Sequence, residues 1–198
     1  MQFTKLTRSH AGRITLVAVP VGIVTAIAFG GVAQGAVPVS FSVSGQQFQI
    51  SADKLDGQQF SQYAGVAKDT AGNDRQVAIA NIGSATLANL CQSVTTETPM
   101  GKVGVMITAG GGGTPASAKD LQIGMTDLRG DAEFHDIRIG VDASTVKGDQ
   151  KGSAGDFAQD ADSLTINGVQ QTAWSTTAGT FTLTGMHLQL TDGSKSCF

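Results

Sequence analysis

The sequence predicts an all-β protein, an antiparallel sandwich or an elongated, partly closed sheet, behind an N-terminal signal or anchor helix. Three observations predict it. Apolar residues recur at every second position in several segments, no sustained i, i+3, i+4, i+7 stripe follows residue 37, and Gly, Ser and Thr interrupt every window in which a helix would have to propagate.

The chain begins with a segment unlike the rest. Lys5, Arg8 and Arg13 form a basic start, the run from Ile14 to Ala33 is uncharged, and Ala33-Gln34-Gly35-Ala36 supplies small residues at its end. A basic region, an apolar region and a small-residue exit make up a secretory signal, with cleavage expected after Gly35 or Ala36. A run of about twenty apolar residues is also long enough to span a bilayer. Residues 1–36 therefore read as a signal peptide or a retained membrane anchor, with Pro20 and the glycines favouring removal. Both readings place residues 37–198, a single all-β domain, outside the cytoplasm: secreted, or on the extracellular face of the cell envelope.

Removing that segment makes the chain more acidic. Three of the 13 Lys and Arg lie in it, which leaves 10 basic residues against 16 acidic ones, a formal balance of −6. A net acidic surface repels phosphate backbones, and no basic stripe with interleaved aromatics offsets this, so nucleic acid is excluded as a partner. Cys91 and Cys197 are the only cysteines. In an oxidising compartment they are expected to pair. The bond would close a loop of about 100 residues, which stabilises by roughly 4 to 5 kcal/mol through lost chain entropy in the unfolded state.

The strands are read from alternation. Val37, Val39, Phe41 and Val43 alternate with polar or small residues, as do Val103, Val105 and Ile107, and then Ile137, Ile139 and Val141. Phe181 with Leu183, then Met186, Leu188 and Leu190, repeat the pattern with a change of phase near Gly185 that predicts a bulge or bend. Ala64 to Asp74, Ala109 to Lys119 and Lys147 to Asp162 are rich in Gly, Ser, Asp and Ala and read as surface loops. A weak echo, an aliphatic followed two positions later by Gly or Asn, ends at Gly57, Asn89, Gly130, Gly168 and Gly185. Both residue types tolerate positive φ, so each is a candidate strand corner.

No catalytic, cofactor-binding or metal-ligating set emerges, and no cofactor is expected. His135 and His187 are the histidines beyond the signal, both in strand-like stretches, and the G-x-S-x-G turn that exposes a hydrolase nucleophile is absent. The run Gly110 to Gly113 lacks the spacing of a phosphate loop. Asp149, Asp156, Asp160 and Asp162 crowd one stretch without the residue order of a calcium loop. The polar faces are short of charge, at 15% Asp, Glu, Lys and Arg against about 25% in typical domains. Charges guard strand edges, so such faces favour contact with other copies of the chain, the envelope or an extended ligand.

The segment VPVSFSVSGQQFQISADKLDG, the stretch ATLANLCQSV around Cys91 and the ending TFTLTGMHLQLTDGSKSCF resemble a family of actinobacterial exported proteins without an established function. Some of its members carry an automatic cholesterol-esterase label. The resemblance implies export, an envelope role and a small membrane protein as companion, and it brings no catalytic residues. The expected function is non-enzymatic, binding of a lipid, another apolar ligand or a partner protein, or self-assembly, with an ester hydrolase as the alternative.

Overall fold

The structure, a computed structural model, describes residues 42–198; the signal segment and all but the last two residues of the strand expected over 37–43 lie outside the described residues. Strands follow one another as β1 (Ser42–Val43), β2 (Phe48–Asp69), β3 (Asp74–Ala88), β4 (Leu90–Thr98), β5 (Gly101–Ala109), β6 (Ala116–His135), β7 (Arg138–Asp142), β8 (Phe157–Thr177), β9 (Thr180–Thr182) and β10 (His187–Thr191). Helix among the described residues is one 3-10 turn, Ala143–Thr145. Every pairing is antiparallel except that of β1 with β2.

The all-β expectation holds, but two packed sheets do not form. One sheet closes on itself, because β2 pairs with β3, β3 with β6, β6 with β8, and β8 again with β2. Ala64 stands opposite Ala78, Ala78 opposite Met125, Met125 opposite Ala173, and Ala173 opposite Phe48. One circuit thus returns to β2 sixteen residues nearer its start. At ~3.3 Å per residue and ~4.8 Å between strands, that stagger tilts the four strands by roughly 70° from the barrel axis. Strands this tilted wrap around the barrel, which is why β2, β6 and β8 run for 22, 20 and 21 residues.

The barrel interior is filled by one cluster of buried side chains, eight of its twenty residues being alanine. Small inward residues let the larger ones cross: a Cβ on Gly57 would lie 2.5 Å from Leu164 Cδ2 and 2.9 Å from Ile82 Cγ2. Ile79 and Ala80 are neighbours on β3 and so point to opposite faces, yet they are only 3% and 2% exposed. Ala80 belongs to the barrel interior and Ile79 to a second cluster, where Tyr63, Ala67 and Val77 meet Ala143 and Val146 of the β7–β8 connection.

Beyond the barrel, β4, β5 and β10 form a three-stranded arm. Asn89, at φ +50°, turns the chain from β3 into β4, and its side-chain amide donates to Asp53 Oδ2 at 2.6 Å. One face of the arm carries Cys91 and Ser93. Cys91 is disulfide-bonded to Cys197, with the two Cα atoms 5.8 Å apart, and the Cys197 amide donates to Ser93 Oγ at 3.1 Å.

Three expected loops are shorter than the sequence suggested. Residues 64–69 finish β2, 116–119 begin β6 and 157–162 begin β8. In each the buried positions are filled by alanine or a paired carboxylate: Ala67, Ala116, Ala158 and Asp160 all have no exposed surface. Alanine carries little hydrophobic signal, so the alternation was hidden. The phase change near Gly185 is a turn in which Met186 N donates to Leu183 O, separating β9 on β6 from β10 on β5.

Candidate ligand-binding groove

Where β2 and β3 run past the closed ring, they border an open groove of about 820 Å³. Ala64, Val66 and Lys68 come from β2, Ala78 from β3, Met125 from β6 and Phe157 from the start of β8. Val66 is 45% and Phe157 63% exposed. An aromatic ring left in water beside an aliphatic wall is a surface that a ligand can cover.

The loop that walls the groove is fastened by its own polar groups. Asp142 Oδ1 accepts from Ser144 N at 2.8 Å, and its Oδ2 accepts from Gly155 N at 2.7 Å. Gly152 N donates to Ala143 O at 3.0 Å, and a Cβ on Gly152 would lie 2.9 Å from the Tyr63 ring. Under the loop, Gln122 Nε2 donates to Asn81 Oδ1 at 2.7 Å and also to Gln150 Oε1, while Asn81 Nδ2 donates to Ser61 Oγ at 3.3 Å. The Tyr63 hydroxyl is buried and makes no hydrogen bond of standard geometry, and burial pushes its pKa up, with Asn81 acting the other way.

Charged groups border the groove as well. Lys68 Nζ donates to Asp74 Oδ1 at 2.5 Å, and Lys151 Nζ to Val146 O at 2.6 Å. At the β2–β3 tip, Asp69 accepts from Asn73 and Arg75, which hold its carboxyl well below the usual carboxylate range. Arg75 also lies over the Trp174 ring, 4.9 Å from the centroid.

Apart from Asp156, the residues singled out in the sequence lie elsewhere. His135 is exposed at the end of β6 and meets Glu133 at 3.6 Å; His187 is exposed on β10 opposite Thr108. Of the four crowded aspartates, Asp160 is buried against Arg138, Asp162 pairs with Lys147, and Asp156 lines the groove. No cluster of three or more metal-ligating side chains occurs among the described residues. Gly110 to Gly113 form the β5–β6 connection, where Gly110 N donates to Thr184 O at 2.8 Å. Sequence reasoning missed Tyr63, Val66, Met125 and Phe157. Phe157 had one signal, as the sole aromatic in a Gly- and Asp-rich stretch.

The fold and groove define a staggered β-barrel protein with an open apolar cleft. The chain belongs to a family of unknown function (DUF6230), matched over residues 44–198. Neither the curated proteins nor the solved structures contain a match.

Proposed function

We propose that the chain is an exported cell-envelope protein that acts by binding, and that its groove takes an elongated apolar ligand of the lipid class. One observation carries this reading: an 820 Å³ space is bordered by a continuous set of apolar and aromatic side chains, Val66, Val77, Ile79, Met125, Tyr63 and Phe157 among them, alongside the charged Lys68, Lys151, Asp74 and Asp156. That volume lies inside the ~300–1,000 Å³ range of ligand sites. Among the described residues that line it there is no histidine or cysteine, although Ser153, Lys151 and Asp156 do border it, so an ester hydrolase there would have to do without an imidazole base or a thiol.

The test uses exported protein and oleate. Saturable binding is expected, weakened about five- to tenfold by Phe157→Ala through lost apolar contact and further by Val66→Glu, which would put a charge against the chain. Binding that ignores both substitutions, or no binding, rejects the groove. Ester turnover that disappears with His187→Ala in a folded protein would replace this reading with the hydrolase one.

Self-assembly is favoured by a separate observation. Leu188 and Leu190 are 52% and 68% exposed on β10, a strand that among the described residues pairs with β5 alone, on one edge.

A further inference from the structure

A second hollow, of about 370 Å³ and with no lining residue in common with the groove, lies between the start of β2 and the end of β8. We propose that it is a binding site for a neutral carbohydrate. Three half-buried aromatic residues line it: Phe48, Trp174 and Phe181. The other lining side chains are the Gln92 amide and the hydroxyls of Ser44, Ser175, Thr176 and Thr177, with no charged group among them.

The chain builds this combination with a bulge. On β6, Gly124 stands opposite Ser175 and Met125 opposite Ala173, which leaves Trp174 unpaired between them. A bulge breaks strict alternation and re-aims side chains, so the consecutive residues Trp174, Ser175 and Thr176 all reach the same hollow. Phe181 arrives on β9, held against β6 by the pairing of Phe181 with Ala118, and Gln92 arrives on β4 opposite Ile50. Arg75 lies on the Trp174 ring and is tied to Asp69 at 2.8 Å, which fixes the indole in place.

Each part answers a part of a sugar. The face of a pyranose ring is a patch of C–H groups carrying slight positive charge, and it packs against the negative face of an aromatic ring. Its edge is a ring of hydroxyls that both donate and accept, matched by amide and hydroxyl side chains with the same double capacity. The Thr176 Oγ1 atom is buried without a hydrogen-bond partner. Rotation of the Thr176 side chain toward the hollow it lines would let a ligand hydroxyl satisfy it, whereas a hydrocarbon chain would leave it unmet. The absence of charge among the lining residues argues against a phosphate or uronate and for a neutral sugar. The volume lies at the small end of the ~300–1,000 Å³ range of ligand sites, which suits one or two sugar units.

Trp174 is the only tryptophan in the chain, so intrinsic fluorescence reads this hollow directly. Exported protein is titrated with neutral tetrasaccharides of glucose, mannose, galactose and arabinose. The expected result is a saturable change in emission with at least one of them, at least about tenfold weaker in Phe181→Ala and weaker again in Gln92→Ala, with thermal unfolding of both variants unchanged in cooperativity. Phe157→Ala, in the lipid groove, leaves it unaltered, which separates the two sites. No saturable response to any of the sugars at millimolar concentration overturns the proposal. So does a response equal in Phe181→Ala, or one produced by oleate and not by the sugars.

Discussion

A carboxylate with no exposed surface needs its charge answered from several sides, and Asp160 is so answered. Arg138 donates from Nε at 2.8 Å and from Nη2 at 2.5 Å, and the Lys147 amide donates at 2.6 Å. These bonds, the Arg138 pair first, hold its pKa below the ordinary value against the opposing effect of burial. Asp160→Asn keeps the shape and removes the charge. It is expected to destabilise by about 2–4 kcal/mol, less than for a wholly buried pair because Arg138 is 44% exposed. The sign of the pH dependence follows from the direction of the shift. A carboxylate with a depressed folded pKa contributes stability above its unfolded value of about 3.9 and loses it as pH falls through the folded one. Asp69, Asp142 and Asp192 are shifted the same way by hydrogen bonds to their turns. Melting temperature should therefore hold nearly level down to about pH 5 and then fall, with a shallower acid limb in Asp160→Asn. An acid limb of equal slope in the two proteins would count against the assignment.

Strands in this chain were legible where large aliphatics alternate and illegible where alanine does the inward packing. Val103, Val105 and Ile107 announced β5, while Ala116 and Ala118, 0% and 3% exposed, made the start of β6 look like a loop. The echo of five aliphatic-x-Gly/Asn triplets was partly physical. Asn89, Gly130, Gly168 and Gly185 have φ of +50°, +151°, +62° and +65°, each at a corner or register break, whereas Gly57 is required for close packing against Leu164. The groove and the hollow beside Trp174 were out of reach because long-range pairing sets residues of β2, β3, β6 and β8 side by side in the one and residues of β2, β4, β8 and β9 in the other, and nothing in local periodicity encodes that register. The cysteine pair was within reach, being the only two available. Joining Cys91 to Cys197, 106 residues apart, ties the C-terminal tail to the arm. Non-reducing peptide mapping of exported protein should find them linked, and Cys197→Ser should cost roughly 2–5 kcal/mol while releasing amide protection first in β10. Free thiols in the exported protein, or an unchanged unfolding midpoint, would contradict this.

At the scale of the molecule, the ring leaves its inward face open at the arm. Gln92 stands opposite Ile50, a barrel-interior residue, then opposite Ile107, which stands opposite Leu188; in the next row Val94, Val105 and Leu190 face one another. The lining of the barrel thus continues onto a half-buried apolar face that becomes exposed at β10, whose outer edge has no partner among the described residues and whose five residues include no lysine or proline to guard it. Antiparallel pairing of β10 with β10 of a second copy about Gln189 would set Leu188 of each against Leu190 of the other. That contact is isologous and closes at two, so it yields a dimer rather than a fibre. Light scattering of exported protein should give twice the chain mass. Leu188→Lys with Leu190→Lys places like charges across the symmetric pairing and should return a monomer, without loss of thermal stability because both side chains are already exposed. A wild-type monomer at high concentration removes the self-assembly reading, whereas a dimer that survives both lysines places the interface elsewhere on the barrel.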